Sequence, residues 1–600
     1  MHILLSQIFT VFGVLYPTFD RKDYAFFLPC QDKFKNIYKQ KIKQKAILMI
    51  LGIDVGGTHT DAVLVENFEL KKKVKVPTDN ANIMSSLLSA AQKIIAGENI
   101  NNIKRIVLST TISTNAIIQN KIDRVAMVLL SGPGLAPSTL SPGPDAFFIS
   151  GYINHRGVEV QPVNNDEIGQ VSHKLQRENI RQIGIVGKFS TRNPQQEIDV
   201  AHILGNDQRQ FSLGHRLSGR LNFPRRIATT YLNAAINNIY GNFVNEVKKF
   251  VSQVAGDIPV YILKADGGTI LIDQSLSCPV QTIHSGPAAS IMGLLATAGI
   301  KEDAVALDIG GTTTDISVFA NGDPLLEPNG ITIHEQKTLI RGLYTKSIGV
   351  GGDSSVCIEN GEICIGPQRR GPAAALGGEI PTPTDAMIVL DITALGSKQK
   401  AMDAIAPLAR DINLDIVSAA RAILDKTVAI IADNVKQVMD EINNKPVYTI
   451  HELLEGKTIN PEKLYVVGGP AALAPDIAKL LGYPYKIPEH YEVANALGAA
   501  LARTTTEITI LADTEKRELI ISEEGTVMKI PHDFTLEDAI SVGKKALRER
   551  AAKQGADPTD IVMEVTEAQE FNMIRDFYKT GKNIRAKIQI KPGLISAKKT

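Results

Sequence analysis

Two stretches of eight residues carry most of the chemistry this chain could do. Asp54-Val55-Gly56-Gly57-Thr58-His59-Thr60-Asp61 recurs as Asp308-Ile309-Gly310-Gly311-Thr312-Thr313-Thr314-Asp315, with six of eight positions identical. Paired glycines admit positive φ and let a ligand approach the backbone closely. Successive backbone N–H groups then form a concavity for an anion, and threonine hydroxyls donate to phosphate oxygens. The leading aspartates, Asp54 and Asp308, are of the type that holds hydrated Mg²⁺, a cation that takes one or two carboxylates plus water and phosphate. The trailing Asp61 and Asp315 read either as further acids at the site or as caps of the turn.

Each octet sits between apolar runs, at 50–53 and 62–65 in the first copy and at 304–307 and 316–319 in the second. That pattern is strand, glycine turn, strand. One Gly-Gly-Thr alone is most simply a hairpin turn. Two copies with the same flanks and the same closing aspartate predict two related halves facing each other across an anion. Rival nucleotide motifs are missing: there is no Gly-x-x-x-x-Gly-Lys-[Ser/Thr], and no Gly-x-Gly-x-x-Gly follows the first strand.

The elements that must position these turns alternate between apolar runs and helical periodicities, as α/β folds require. Strands are expected at 105–109, 125–130, 183–186, 260–263 and 464–467. Helices are expected at 83–96, 113–119, 228–251, 286–298, 399–444 and 493–503. Glycine-rich loops follow at Gly349-Val350-Gly351-Gly352-Asp353-Ser354 and Gly468-Gly469-Pro470. Asp266, before Gly267-Gly268, reads equally as a cleft-facing acid or a turn cap. His284 reads as a helix-entry residue, and Cys357 and Cys364 as core. Residues 505–600 change character, with short strands and one charged helix, and are expected to form a small α+β domain.

Six hundred residues exceed one core, so two to four domains are expected. A net charge of +1 excludes a global electrostatic attraction to nucleic acid or membrane. Four cysteines with no Cys-x-x-Cys pair exclude a disulfide framework, a zinc ribbon or an iron–sulfur cluster, and make a reducing cytoplasm the default location. Residues 1–48 hold nine of the 32 aromatics and a lysine-rich run, and Met49 stands directly before the first strand. Translation is therefore expected to begin at Met49, with 1–48 extraneous.

The octets, the Ala/Gly-rich helix at 286–298, Gly468-Gly469-Pro470 and the Ala-rich helix at 493–503 together resemble the actin, hexokinase and Hsp70 ATPase superfamily. With Ser285-Gly286-Pro287-Ala288-Ala289, Gly349-x-Gly-Gly-Asp-Ser and Pro383-Thr384-Asp385-Ala386 added, the chain resembles the hydantoinase/oxoprolinase A-type family over about residues 49–504. The resemblance implies an α/β fold of duplicated ribonuclease-H-like domains around a cleft. An N-terminal-type domain would span 49–300 and an A-type domain 301–504, ahead of the domain at 505–600. It implies ATP and Mg²⁺ as cofactors, with Asp54, Asp308 and Asp315 catalytic and Asp54 and Asp308 on the metal. Gly56, Gly57, Thr58, Thr60, Gly310, Gly311, Thr312, Thr313, Gly351 and Gly352 would surround the phosphates, and Gly468 and Gly469 would admit the adenosine.

The activity implied is phosphorylation of a cyclic amide, a hydantoin or a 5-oxoproline-like lactam, for ring opening with a separate B-type subunit. Two alternatives stand beside it: a ketone carboxylase subunit that phosphorylates a carbonyl, and an ATP-switched regulator or activator. The chain departs from the family at His59, where Phe is usual, at Leu108-Ser109-Thr110-Thr111, where His-Gly-Thr-Thr is usual, and at Ala265-Asp266, where Ser-Asn is frequent. These departures concern the substrate side. His59, Thr111, Asn115 and Asp266 are its candidate residues, and His59 reads either as a donor or base toward substrate or as a filler of the Phe slot.

Overall fold

Strand β1 (Met49–Val55) is buried along all seven residues, as a central strand covered on both faces must be. It pairs antiparallel with β2 (His59–Glu66), which pairs antiparallel with β3 (Glu69–Pro77). On its other side β1 runs parallel to β4 (Ile103–Thr110), and β4 parallel to β5 (Val260–Leu263). Strand β3 carries four lysines along the sheet edge, a composition that discourages edge-to-edge pairing. The structure, a computed structural model, describes residues 48–595 apart from 58, 80–81, 135, 137–138, 141–142, 206–207, 255 and 445–457. Thr58 and the expected extension 1–48, except Leu48, lie outside the described residues.

The second octet repeats the arrangement. Strand β6 (Ala304–Ile309) pairs antiparallel with β7 (Thr314–Ala320), and β7 with β8 (Asp323–Pro324). Strand β6 runs parallel to β9 (Lys463–Val467), and β9 to β10 (Tyr485–Lys486). The orders β3-β2-β1-β4-β5 and β8-β7-β6-β9-β10 have the same sense at every step. This is the duplicated α/β architecture that the repeated octets predict. Each half has its own apolar core, one including Leu51, Leu64 and Ile106, the other Leu307, Ile316 and Val466.

Four helices matter for the site: α1 (Ile112–Ile118), α2 (Phe223–Val254), α3 (Ser285–Ala298) and α4 (Ala494–Leu501). Helices α3 and α4 cross in backbone contact. A Cβ on Gly293 would lie 2.4 Å from the Ala494 carbonyl oxygen, and one on Gly498 would lie 2.1 Å from the Gly293 nitrogen. Only glycine permits that approach. Helix α4 is shorter than its alanine-rich sequence predicts, because Ala502 turns extended and bridges to Leu594. The helix expected at 399–444 is two helices, Lys398–Asp411 and Ile416–Asn443. The break falls where Asn413 adopts positive φ and Asp415 caps the second helix.

An insertion in the first half forms a four-stranded all-parallel sheet that includes Val125–Leu130 and Gln182–Gly187. Residues 507–590 form a five-stranded antiparallel sheet covered by the helix Leu536–Lys553, with a core that includes Ile508, Leu519, Leu547 and Ile588. Arg156 bonds Asp513 and Glu515 across to this sheet, and Arg341 donates to the Ile590 carbonyl. The cysteine expectation is corrected. Cys357 and Cys364 face each other on a two-stranded hairpin whose outer face is open, so Cys357 is exposed rather than core. Among the described residues no helix is long and apolar enough to cross a membrane.

Candidate nucleotide and carbonyl site

The site begins with two turns closed by equivalent hydrogen bonds. The Gly56 N–H donates to the His59 carbonyl at 3.0 Å, and the Gly310 N–H to the Thr313 carbonyl at 2.8 Å. Each bond closes a hairpin at the carboxyl end of its central strand and leaves the turn's tip outward, with Gly57, His59, Thr312 and Thr313 exposed. Strand register sets Asp54 opposite Asp61 and Asp308 opposite Asp315. The trailing aspartates therefore sit in strands and do not cap the turns.

The acids differ in what surrounds them. Asp54 is 7% exposed. Burial carries its carboxyl up to about 6, opposed by the nearby polar side chains of Ser109 and Asn495 and reinforced by the charges of Asp61 and Asp308. The charge of Asp308 reaches Asp54, so the two carboxylates lie within electrostatic range of each other. Burial also pushes Asp308 upward, and the Ser290 hydroxyl, donating to Oδ2 at 2.5 Å, works against it. Asp315 is carried to about 6 by burial and by Asp308, with a hydrogen bond to Ser347 opposing. Asp61, by contrast, is paired with Lys75 at 2.8 Å.

Asp54 and Asp308 are thus partly desolvated carboxylates that an added cation would stabilise. Among the described residues no three His, Cys, Asp or Glu side chains form a ready metal cage. Two carboxylates without a cage fit Mg²⁺, which draws its other ligands from water and phosphate.

Gly468 follows β9 with φ +94°, and a Cβ there would lie 2.2 Å from the Ile309 carbonyl oxygen and 2.9 Å from Asp308 Oδ1. Gly469 borders open space. The pair thus stands directly beside the second turn. Gly351 and Gly352, expected to bind phosphate, do other work: Gly351 N–H donates to Ser354 Oγ at 2.8 Å and Gly352 N–H to the Gly310 carbonyl at 2.9 Å. Their amides brace the second turn from behind. Thr60 is corrected likewise, since it is fully buried and its hydroxyl bonds Thr78 at 2.9 Å. His59 is exposed at the start of β2 and fills no apolar slot.

Asp266 is corrected most firmly. It is 2% exposed, lies 2.9 Å from Arg341 and 3.3 Å from Lys264, and accepts from Thr505 and from the Gly268 N–H. It closes its own turn and anchors a buried ion network, which is its capping reading. Thr111 and Asn115 do come together: the Asn115 amide donates to Thr111 Oγ1 at 3.1 Å, and a Cβ on Gly286 would lie 3.6 Å from Thr111 Cγ2. They flank the first turn of α3.

Sequence reasoning missed Ser290, whose hydroxyl donates to Asp308, and Ser109 and Asn495, the polar side chains beside Asp54. Ser290 and Asn495 are isolated polar residues on helices built of small apolar ones, and that contrast was the available signal. It also missed Asp353, whose N–H donates to the Gly311 carbonyl at 2.6 Å and whose carboxylate holds Arg369 at 2.8 Å beside the same turn.

Residues 50–207 match the hydantoinase/oxoprolinase N-terminal region, and residues 226–508 match the hydantoinase/oxoprolinase domain that follows it. The chain belongs to the hydantoinase/oxoprolinase family. Caprolactamase subunit alpha of Pseudomonas jessenii is 23% identical over 62% of this chain and 60% of its own length. The 5-oxoprolinase of Saccharomyces cerevisiae is 24% identical over 68% of this chain and 32% of its own. The chain thus spans between about a third and three fifths of these relatives. The crystal structure of the ATP-dependent caprolactamase from Pseudomonas jessenii superposes with a TM-score of 0.68 at 18% identity, covering 92% of this chain and 88% of that one, a likeness of fold.

Proposed function

We propose that this member of the hydantoinase/oxoprolinase family uses ATP to phosphorylate the carbonyl oxygen of a small cyclic amide. The observation that supports it best is that Asp54 and Asp308 stand at equivalent strand ends, each before a glycine turn, and within electrostatic range of each other. An amide carbonyl resists water because of resonance, and phosphorylation of its oxygen supplies a leaving group. The protein's share of such a step is positioning and charge stabilisation.

In this reading Gly57, Gly311, Thr312 and Thr313 meet the phosphates, and Gly468 and Gly469 admit the adenosine. Asp54 and Asp308 hold Mg²⁺, which when bound neutralises phosphate charge, and Asp315 adds to the acidic field. Ser290 aims Asp308 by its hydrogen bond, and the polar side chains of Ser109 and Asn495 favour the ionised form of Asp54. The α3–α4 crossing is the hinge about which the halves close and exclude water. Ring opening then requires a B-type partner, with assembly as a hetero-oligomer in the cytoplasm.

The test is ATP hydrolysis by the purified chain, alone and with the partner it co-purifies with, against hydantoins, lactams and small ketones, with and without bicarbonate. Stimulation by a cyclic amide without bicarbonate is the expected result. Strict dependence on a ketone plus bicarbonate would replace this reading with carbonyl carboxylation. No stimulation by any compound would overturn both.

A further inference from the structure

The second glycine turn carries an acid packed against it. A Cβ on Gly311 would lie 2.6 Å from Asp353 Oδ2. The same oxygen accepts from the Arg369 guanidinium at 2.8 Å. One carboxylate oxygen thus touches both the turn and the arginine.

The backbone also fixes Arg369 there. The Ser355 N–H donates to the Gln368 carbonyl at 2.9 Å, and the Gly366 N–H donates to the Ser355 carbonyl at 3.0 Å. Ser355 follows the loop 351–354, whose Gly352 and Asp353 amides donate to the Gly310 and Gly311 carbonyls. The strap at 366–370 is therefore tied to the loop that braces the turn. Arg369 stands on that strap with 33% of its side chain exposed, open to a ligand at the turn.

An exposed ion pair contributes little to stability by itself. The consequence of this one is electrostatic. Asp308 and Asp315 already place acids in the strands that flank the turn. Burial pushes the Asp353 carboxyl up, and the Arg369 charge draws it back. A phosphate arriving at Gly311 would meet the like charge of Asp353. The guanidinium beside it stays protonated and presents a planar fork that matches phosphate oxygens.

We infer that Arg369 is a catalytic residue that passes from Asp353 to the phosphoryl group in transfer and neutralises the charge on its oxygens, with Asp353 holding the guanidinium in place until the nucleotide binds. The inference rests on the ATP reading above. In the transfer, the bond from the γ-phosphorus to the ADP oxygen breaks with its electron pair on that oxygen. The new bond forms from a lone pair of the amide carbonyl oxygen, and the ring N–H gives its proton to water. Arg369 keeps its own proton throughout, so its share is charge stabilisation.

The test is calorimetric binding of ADP with Mg²⁺, with and without fluoroaluminate as a mimic of the phosphoryl group in transfer, to the full chain with its co-purifying partner. Fluoroaluminate should tighten ADP binding in the parent protein. Arg369→Gln should bind ADP within about threefold of the parent and lose about 100-fold or more of that tightening, with a similar loss in kcat and little change in KM for ATP. Arg369→Lys keeps the charge but not the fork and should fall between the two. Arg370→Gln makes the same charge change one residue on and should stay within about twofold of the parent in both measurements. If fluoroaluminate leaves the parent's ADP affinity unmoved, the kcat loss decides alone. Retained tightening and kcat in Arg369→Gln overturn the inference and leave the proposed function standing. Full recovery on adding Asp353→Asn to Arg369→Gln also overturns it, because Arg369 would then serve only to neutralise Asp353. An equal loss from Arg370→Gln overturns it as well. A parent protein that binds no ADP removes the ATP reading and this inference with it.

Discussion

The Ser290 hydroxyl donates to Asp308 Oδ2 at 2.5 Å and so fastens the connecting helix α3 to the end of the second half's central strand. Burial raises the Asp308 carboxyl, and this bond is what lowers it. Ser290→Ala should therefore move Asp308 further up. A hydrogen bond to a charged group contributes about 1.5–3 kcal/mol, so ATP turnover near neutral pH should fall by about tenfold or more. The acid limb of the pH–rate profile should shift upward, and Ser290→Thr, which keeps the hydroxyl, should restore it. A variant with reduced turnover and an unmoved acid limb would show that the bond is only structural.

Asp54 gives a stability prediction with a definite sign. Its carboxyl titrates near 3.8 when unfolded and is carried to about 6 by burial in the native protein. Between those values the native state binds more protons than the unfolded state, so stability falls as pH rises through that window. Asp54→Asn removes the penalty. In the ligand-free protein the variant should gain up to about 3 kcal/mol at pH 7.5 and nothing below pH 4, while ATP turnover is lost. Urea unfolding at the two pH values measures the difference, and an equal effect at both would refute the assignment.

Much of the fold was legible because the octets combine three signals that agree: apolar runs of strand length, a turn that needs glycine, and repetition. The same consistency made Asp54 and Asp308 readable as partners. Side-chain direction was not readable. Thr60 and Thr312 look alike in the motif, yet Thr60 lies within a buried strand and bonds Thr78, while Thr312 sits exposed at a turn tip. Asp266 read equally as a cleft acid or a turn cap because it ends a strand beside two glycines. Its partners, Arg341 and Thr505, lie far along the chain and no local pattern announces them. Gly351 and Gly352 have phosphate-loop composition, but tertiary bonds to Ser354 and Gly310 already use their amides.

The helix crossing yields a packing prediction. A Cβ on Gly498 would meet the Gly293 nitrogen at 2.1 Å and the Ala289 carbonyl oxygen at 2.7 Å, both backbone atoms that cannot rotate away. Gly498→Ala should cost about 1–3 kcal/mol through forced separation of α3 and α4. Because α4 also lies on Gly52 of β1, the strain reaches the strand that ends at Asp54. The expected outcome is a lowered Tm together with a raised KM for ATP. An unchanged Tm would mean that the helices can part freely.

Asp266→Asn separates a buried structural acid from a substrate contact. The substitution keeps the shape and removes the charge that Arg341, at 2.9 Å, and Lys264, at 3.3 Å, share in the interior. Lys264 is 4% exposed and would be left close to Arg341 with that shared charge gone. Removing one member of such a network costs about 3–5 kcal/mol. The effect should therefore appear as a large loss of unfolding free energy, with KM for the stimulating cyclic amide within about twofold of the parent in whatever fraction stays folded. Lys264→Met combined with Asp266→Leu, which replaces part of the network by apolar groups, should recover much of the lost stability. A raised KM at undiminished stability would instead return Asp266 to the substrate side of the cleft.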